Sequence, residues 1–598
     1  MVADEGERLL WRIRHGAVLL MLMAFSLNTD SGRIFSDTKM DLVLNPGGFL
    51  TRATHLWEPL GTAGQLQNQA YGYLFPMGPF FWFGNAIGLP GWATQRLWWA
   101  LVLGVSYLGF VLLARRLGLG GEWTRLIAGV AFAVSPLVLT VLGRSSIEAW
   151  PPALAPWILV PLVSPSARSQ PLRAAALSGL AVACMGGVNA TVNLAAILPA
   201  VLWLLTRVWD RAQVRLLAAW VAAVASAAAW WIIPLLALSR WSPPFLDYIE
   251  SASFTTRTTA LVQVLRGSAN WVAYLAEAGS LTGYALLTDR VSILTSGIVV
   301  ATGLAGLAMR RTHHRRWLAL LLVTGGVLVS LGHAGPLDGW WATDVRGLLD
   351  GVLAPLRNVH KFDILIRLSI ALGFAAALSA AAEGATADES HLLRRILAAT
   401  GAFAVAGAAA PFFGLATAPL RSFESIPTYW GQAAGWLADH GAQGRTLLLP
   451  GSRFADYVWG QPGDEPLQAA TGVSWDVRNA IPLTAPEHVR WIDGLEQRIR
   501  DGRGGDDLAP ALADAGVGFV LVRTDLNVGS QRATRPAVVR EVLQRSPGFK
   551  RVAQFGPGLG GPGTNELASD EKLGSLARAI EIYAVEPTPS RAVVVPAA

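Results

Sequence analysis

Apolar stretches long enough to cross a bilayer, roughly 17 to 25 residues each, recur through the first 415 residues and constrain this chain more than any other feature. They lie near 11–28, 97–114, 124–142, 149–164, 172–189, 191–206, 215–238, 291–309, 317–333, 364–382 and 396–415. In lipid, a segment must satisfy its backbone polar groups internally, and a helix does so within itself. The pattern therefore predicts a polytopic α-helical membrane protein with about eleven transmembrane helices. Basic residues supply a check, because Lys and Arg concentrate in cytoplasmic connections. Every second connection is basic: Arg115, Arg116 and Arg125, then Arg168 and Arg173, then Arg207, Arg211 and Arg215, then Arg310, Arg311, Arg315 and Arg316, then Arg394 and Arg395. One orientation satisfies all five, with the amino terminus in the cytoplasm.

That distribution also decides what the net charge of +7 means. The basic residues form short clusters between apolar runs rather than a stripe along one face, so they report topology and not a nucleic-acid partner. Hydrophobic residues make up 52% of the chain and charged ones 15%, a balance that suits lipid as solvent. The one cysteine, Cys184, sits inside an apolar segment and excludes an intrachain disulfide or a thiolate metal site. No small-residue cleavage site follows the first apolar run, which reads as an uncleaved membrane helix rather than a signal peptide.

On the predicted outer side lie three long loops, 29–96, 239–290 and 334–363, which with the helices complete a transmembrane domain over 1–415. In the first loop, Phe49, Leu50, Ala53, Leu56, Trp57 and Leu60 recur at helical spacing, predicting a short amphipathic helix that lies at the membrane interface or caps the bundle. Beyond 416 the apolar runs shorten. The β-rich runs Arg445–Pro450, Val517–Val522, Arg551–Phe555 and Ile580–Val585 alternate with helical stretches Gln432–His440, His488–Arg500 and Pro510–Ala515. Alternation of this kind predicts a periplasmic α/β domain over 416–598. Gly556–Gly563 lacks the strand-to-helix context of a phosphate loop and reads as a surface loop.

Ionisable residues beside apolar helices are candidates for function because they are expensive to hold there. Asp37, Lys39 and Asp41 follow the first helix, and if helical they place both carboxylates on one face; a solvated loop with a local ion pair is the plainer reading. Arg357, His360 and Lys361 precede the tenth helix, where they could equally snorkel to headgroups. Asp247 and Glu250 stand beside Trp241 and Tyr248, a group that suits sugar hydroxyls and rings or an interfacial aromatic belt. Arg144 and Glu148, four apart at the outer end of the third helix, could pair and contact the site, although a structural ion pair is the plainer reading. His313 and His314 lie between arginines on the cytoplasmic side, and no zinc spacing appears.

The stretches Asn45-Pro46, Arg52-Ala53-Thr54, Leu56-Trp57, Gln67 to Pro76 and Gln95 to Trp99 resemble the amino-terminal part of the actinobacterial arabinofuranosyltransferase D family. The resemblance continues through Ser242 to Ser251, Leu356 to Lys361, Asp464 to Gln468 and Ala579 to Tyr583. It implies a GT-C-like glycosyltransferase in the plasma membrane that moves arabinofuranose from decaprenyl-phosphoryl-arabinose to the arabinan of arabinogalactan and lipoarabinomannan. It further implies that family members continue beyond this chain, with carbohydrate-binding modules or another subunit's contribution.

Polyprenyl phosphate is already a good leaving group, so inverting transfer needs one base, unlike the two carboxylates of glycoside hydrolysis. The resemblance places that base in the first outer loop. Asp37 is the expected base and Asp41 the second choice, with an orienting or metal-contacting role as its alternative. Arg357, His360, Lys361 and Lys39 are the expected donor-phosphate ligands. Trp241, Asp247, Tyr248, Glu250, Arg144 and Glu148 are the expected substrate contacts. No metal site is assigned, and a divalent cation is the one cofactor left open. Competing readings are a mannosyltransferase with a polyprenyl-phosphate donor, a lipid-linked sugar transporter and a non-catalytic glycan-binding scaffold.

Overall fold

The computed structural model describes residues 2–67, 70–242, 250–275, 281–336, 338–383, 387–413, 421–470, 472–531, 533–559 and 577–586. The chain divides into two units that do not follow a single cut in the sequence. One comprises 1–32, 72–235 and 250–420, and the other 33–71, 236–249 and 421–598. Much of the predicted first outer loop, 33–71, thus groups with the segment after 421.

In the first unit, all eleven predicted stretches contain helix. Six helices among the described residues are long and apolar enough to cross a bilayer: Leu9–Leu27, Gly91–Arg116, Arg211–Ser239, Arg290–Ala308, Val359–Ala382 and Leu392–Pro411. The predicted helix 124–142 is instead a broken pair, Glu122–Ala133 and Pro136–Leu142, bent by 45°, which makes seven if it counts as one span. Its cause is local: Pro136 pushes the preceding Ser135 out of the helical region, to ψ 152°, and then opens the second helix itself. Pro171–Ala183 and Ala190–Leu205 are apolar but shorter. Several spans are thus supported, and the predicted count of eleven is not confirmed among the described residues.

Two devices lock these helices together. Tryptophan N–H groups bridge neighbours: Trp150 donates to the carbonyl of Cys184 at 2.7 Å, Trp157 to that of Val105 at 2.9 Å, and Trp220 to Ser178 Oγ at 2.9 Å. Each places a large apolar body in the packing and spends its one donor on the next helix. Glycines do the rest where Arg290–Ala308 meets Asp363–Glu383. A Cβ on Gly306 would overlap the carbonyl oxygen of Gly373, and a Cβ on Gly373 would overlap that of Gly303. Small residues permit this approach of two backbones. Gly373→Val is accordingly expected to cost about 1–3 kcal/mol through forced separation of the pair, read as a lower thermal unfolding midpoint of the detergent-solubilised chain.

Among the described residues, the second unit is built on two sheets and a hairpin. Its strands are β1 (Ile34–Phe35), β2 (Trp57–Glu58), β3 (Gln65–Leu66), β4 (Ser422–Phe423), β5 (Arg445–Leu449), β6 (Ala455–Tyr457), β7 (Gly460–Gly463), β8 (Trp475–Asp476), β9 (Val517–Arg523), β10 (Phe549–Gly558) and β11 (Arg578–Val585). The larger sheet runs β10-β11-β9-β5-β8, with β5 parallel to both β8 and β9 and the other pairs antiparallel. β9 is buried along its whole length, as its near-continuous apolar run requires. Helices Pro486–Arg500, Leu508–Asp514 and Pro536–Arg545 pack Ile492, Leu512 and Val539 against one face. Thr428–Asp439 packs Trp430 and Leu437 against the other.

The smaller sheet, β1-β4-β7-β6, carries the first outer loop into this unit, since Ile34 pairs with Phe423 and Phe35 with Ser422. The predicted amphipathic helix there ends early, at Ala53, and Trp57–Glu58 forms a hairpin with Gln65–Leu66. Gly556–Gly558 lies within β10 rather than in a loop, while 560–563 falls outside the described residues.

Candidate active site

In the first unit, the predicted basic group Arg357–Lys361 splits into two jobs. Arg357, buried, donates Nε to the carbonyl of Leu349 at 3.2 Å, pairs with Asp350 at 3.1 Å and donates Nη1 to the carbonyl of Glu250. Asn358 donates Nδ2 to Glu250 Oε1 at 2.5 Å and accepts from Trp271 Nε1 at 2.7 Å. These two residues hold the segment at Glu250 in place. The next two turn the other way. Lys361 Nζ stands 3.2 Å from Glu148 Oε1, and His360 Nε2 stands 3.7 Å from Glu148 Oε2, within ion-pair range but beyond a hydrogen bond.

His360 is 3% exposed, and neither ring nitrogen has a hydrogen-bond partner among the described residues. An orphaned buried imidazole is costly unless something else meets it. Burial works against the Glu148 carboxylate, but Lys361 and His360 outweigh it and hold its pKa down to about 2. Glu148 is therefore a fixed counter-charge. The predicted i, i+4 pairing with Arg144 lacks its helix, which begins only at Ser146. Arg144 Nη1 donates to the carbonyl of Val272 at 2.7 Å.

A cavity one turn further along the same helix was not anticipated. Asp363, Arg367, Arg266 and Ser135 line it, at the break between Glu122–Ala133 and Pro136–Leu142. Irregular backbone at membrane depth is tolerated where it borders such a cavity. Arg367 Nε lies 3.4 Å from Asp363 Oδ2, and neither atom has a hydrogen bond. Arg266 donates to Ser296 Oγ at 2.8 Å and to the carbonyl of Leu286 at 2.7 Å. Val134 and Val405 also line an apolar groove of about 660 Å³ beside Met21, Phe25 and Leu126. The signal was present in the sequence: an arginine inside an apolar run is a functional candidate by default.

In the second unit, a compact polar cluster gathers around Asp41. Asn45 caps helix Pro46–Ala53 by accepting from Gly48 N, and Pro46 occupies its first turn, which explains the Asn-Pro pair. That helix aims Arg52 back at Asp41, with which it forms an ion pair. Arg52 also donates to Gln67 Oε1 at 3.3 Å and lies 3.5 Å from Glu58 Oε2. From the far end of the sequence, Asp464 accepts from Met40 N at 3.0 Å and from Lys39 Nζ at 3.2 Å, while Gln468 Nε2 reaches Asp41 Oδ1 at 3.5 Å. Burial pushes the Asp41 carboxyl above its ordinary range; Arg52 opposes the push, Asp464 adds to it and Lys39 opposes it. Asp37 is 4% exposed on the turn that leads into this cluster.

Lys39 therefore sits with Asp37 and Asp41 in the second unit, whereas Arg144, Glu148, Glu250, Arg357, His360 and Lys361 belong to the first. Trp241, in the second unit, is 77% exposed. Asp247 and Tyr248 fall outside the described residues. Among the described residues no three His, Cys, Asp or Glu side chains gather as a metal-ligand set.

Residues 21–598 match the family described as alpha-(1->3)-arabinofuranosyltransferase, N-terminal GT-C domain. The chain is 42% identical over 569 residues to the alpha-(1->3)-arabinofuranosyltransferase of Mycolicibacterium smegmatis, covering 93% of this chain and 40% of that protein. To the protein of the same name from Mycobacterium tuberculosis it is 42% identical over 589 residues, covering 95% and 42% respectively. Among solved structures, the cryo-EM structure of arabinofuranosyltransferase AftD from Mycobacteria superposes with a TM-score of 0.80 at 38% identity, over 96% of this chain and 40% of that one. The chain spans about two fifths of the length of these relatives. With nearly its whole length matched in sequence and in fold, this helical membrane protein belongs to the family of the arabinofuranosyltransferase N-terminal GT-C domain.

Proposed function

We propose that the chain is the glycosyl-transferring part of an arabinofuranosyltransferase, moving arabinofuranose with inversion from decaprenyl-phosphoryl-arabinose to an arabinan hydroxyl. The orphaned imidazole of His360 beside the Lys361–Glu148 pair, at the mouth of a membrane-spanning helix, is the observation that supports it most directly. An anionic phosphodiester would satisfy that imidazole and meet Lys361, whose position Glu148 fixes. The groove of Met21, Phe25 and Leu126, sharing Val134 and Val405 with the Arg367 cavity, suits a prenyl tail whose headgroup stays with cationic residues. Arg357, tied to carbonyls and Asp350, positions this region rather than binding phosphate itself.

Breaking the bond between the anomeric carbon and the phosphate oxygen leaves both electrons on decaprenyl phosphate. The acceptor oxygen attacks the opposite face of the sugar while Asp37 takes its proton, with Asp41 and Lys39 ordering the loop. In this reading the amino terminus is cytoplasmic and residues 416–598 work on the periplasmic side.

Membranes containing the chain, given labelled decaprenyl-phosphoryl-arabinose and an arabinan acceptor, should form labelled product. His360→Ala is expected to slow transfer about 100-fold, the scale of one lost electrostatic donor, with most of the loss in kcat. Transfer at the wild-type rate in His360→Ala and Lys361→Met would overturn the phosphate assignment. Product from a mannosyl donor in place of the arabinosyl one would replace the substrate.

A further inference from the structure

The chain leaves β5 for β8 on one side of the sheet and only later reaches β9 on the other. Its crossovers thus diverge at the carboxyl end of β5, the place where open α/β sheets leave a crevice. A groove of about 430 Å³ opens there. Arg453 comes to it from the segment after β5, Asn479 from the segment after β8, and Thr534 from the chain beyond β9. Helix Pro486–Arg500 contributes Asp493, Glu496 and Arg500.

The charges in this groove are largely met already. Glu496 accepts from Gly451 N at 2.6 Å, Asp493 pairs with Arg478 at 2.5 Å, and Arg500 donates to Gln497 Oε1 at 3.0 Å. What remains is a mixture of donors and acceptors, together with the buried Thr534 hydroxyl, which has no hydrogen-bond partner among the described residues. Three arginines and two carboxylates in the lining largely offset one another, and hydroxyl groups, which both donate and accept, match such a mixture. Among the described residues no aromatic ring lines the groove, so recognition passes through planar polar groups. Arg453 and Asn479 also line the cavity that holds Lys39, Arg52 and Asp464, so one space leads into the other.

We infer that this groove is a track for the acceptor: a neutral, polyhydroxylated glycan chain lies across the carboxyl ends of β8, β5 and β9 and extends toward the Arg52–Asp41 pair. The choice of arabinan as that glycan rests on the proposed transfer reaction; the binding itself does not. Calorimetric titration of the full chain in detergent with a linear arabino-oligosaccharide, and with no donor present, tests it. Binding should weaken about tenfold in Arg453→Ala and again in Arg500→Ala, the loss of a hydrogen-bonding partner in each, with unfolding midpoints unchanged. Thr534→Val, which keeps its shape, should weaken binding in the same direction. Inorganic phosphate should not displace the sugar. Absent binding, equal affinity in all three variants, or displacement by phosphate would each overturn the inference. Absent binding with active transfer leaves the reaction standing and removes the groove; binding lost in the variants with no transfer by wild type does the reverse.

Discussion

Asp37→Asn is expected to lower arabinofuranosyl transfer by roughly 100- to 10,000-fold, the contribution of a positioned general base. The substitution keeps size and hydrogen-bonding capacity while removing the group that can take a proton. Asp41 is the second candidate for that role; its two oxygens meet Arg52 and Gln468. With Asp37 as the base and the Asp41–Arg52 pair ordering the loop, Asp41→Asn is expected to cost less in kcat than Asp37→Asn. The two roles separate in a pH profile. Wild type and Asp41→Asn should share the acidic limb that reports the base, and Asp37→Asn should lose it. Product formation that persists in both Asp37→Ala and Asp41→Ala would falsify the assignment of the base to this loop, and an unchanged unfolding midpoint excludes a collapsed unit as the cause of lost activity.

How far the sequence reaches depends on how local the governing interaction is. The strands at Arg445–Leu449 and Val517–Arg523 and the helix Pro486–Arg500 fall where apolar runs and periodicity predict them, because each is decided within a few residues. The break at Ser135–Pro136 was equally local, and its proline should have outweighed the apolar average of 124–142. Arg367 was hidden in the same way, averaged into the run 364–382. The pairing of Ile34–Phe35 with Ser422–Phe423 belongs to another class. Two-residue strands carry almost no register information, and nearly four hundred residues of chain separate them, so no periodicity could announce that the first loop joins the second unit. Glu148 shows the limit of spacing rules. Four residues from Arg144 means one face only if the helix spans both, and it starts at Ser146. The motif Asp464–Gln468 was visible as a resemblance, but its purpose needed the fold: Asp464 holds Lys39 and Met40, Gln468 reaches Asp41, and Glu465 accepts from Arg523.

The Glu465–Arg523 contact carries the second large expected effect. Arg523, at the end of β9, is 0% exposed. Its guanidinium donates to the carbonyl of Pro450 from Nε at 3.0 Å and from Nη2 at 2.8 Å, to Tyr457 Oη at 3.0 Å and to Glu465 Oε2 at 2.5 Å. Tyr457 donates in turn to Glu465 Oε2 at 2.6 Å. One cation thus ties the ends of β5, β6 and β9 to the segment that positions Lys39 and Asp41. Arg523→Met leaves Glu465 charged and buried with its counter-ion gone, a loss of about 3–5 kcal/mol. In a unit of this size it should appear as a fall of roughly 10 °C in the unfolding midpoint, accompanied by loss of transfer as Asp464 shifts. The penalty comes from the stranded charge rather than from the value of the pair, since desolvation offsets most of a buried ion pair's attraction. Adding Glu465→Leu to Arg523→Met should therefore restore much of the midpoint. Arg490→Ala provides the contrast, because its partner Glu487 is exposed and the midpoint should not move. A wild-type midpoint in Arg523→Met, or a double variant less stable than the single one, would show that the network is incidental and that packing alone holds the two ends of the sequence together.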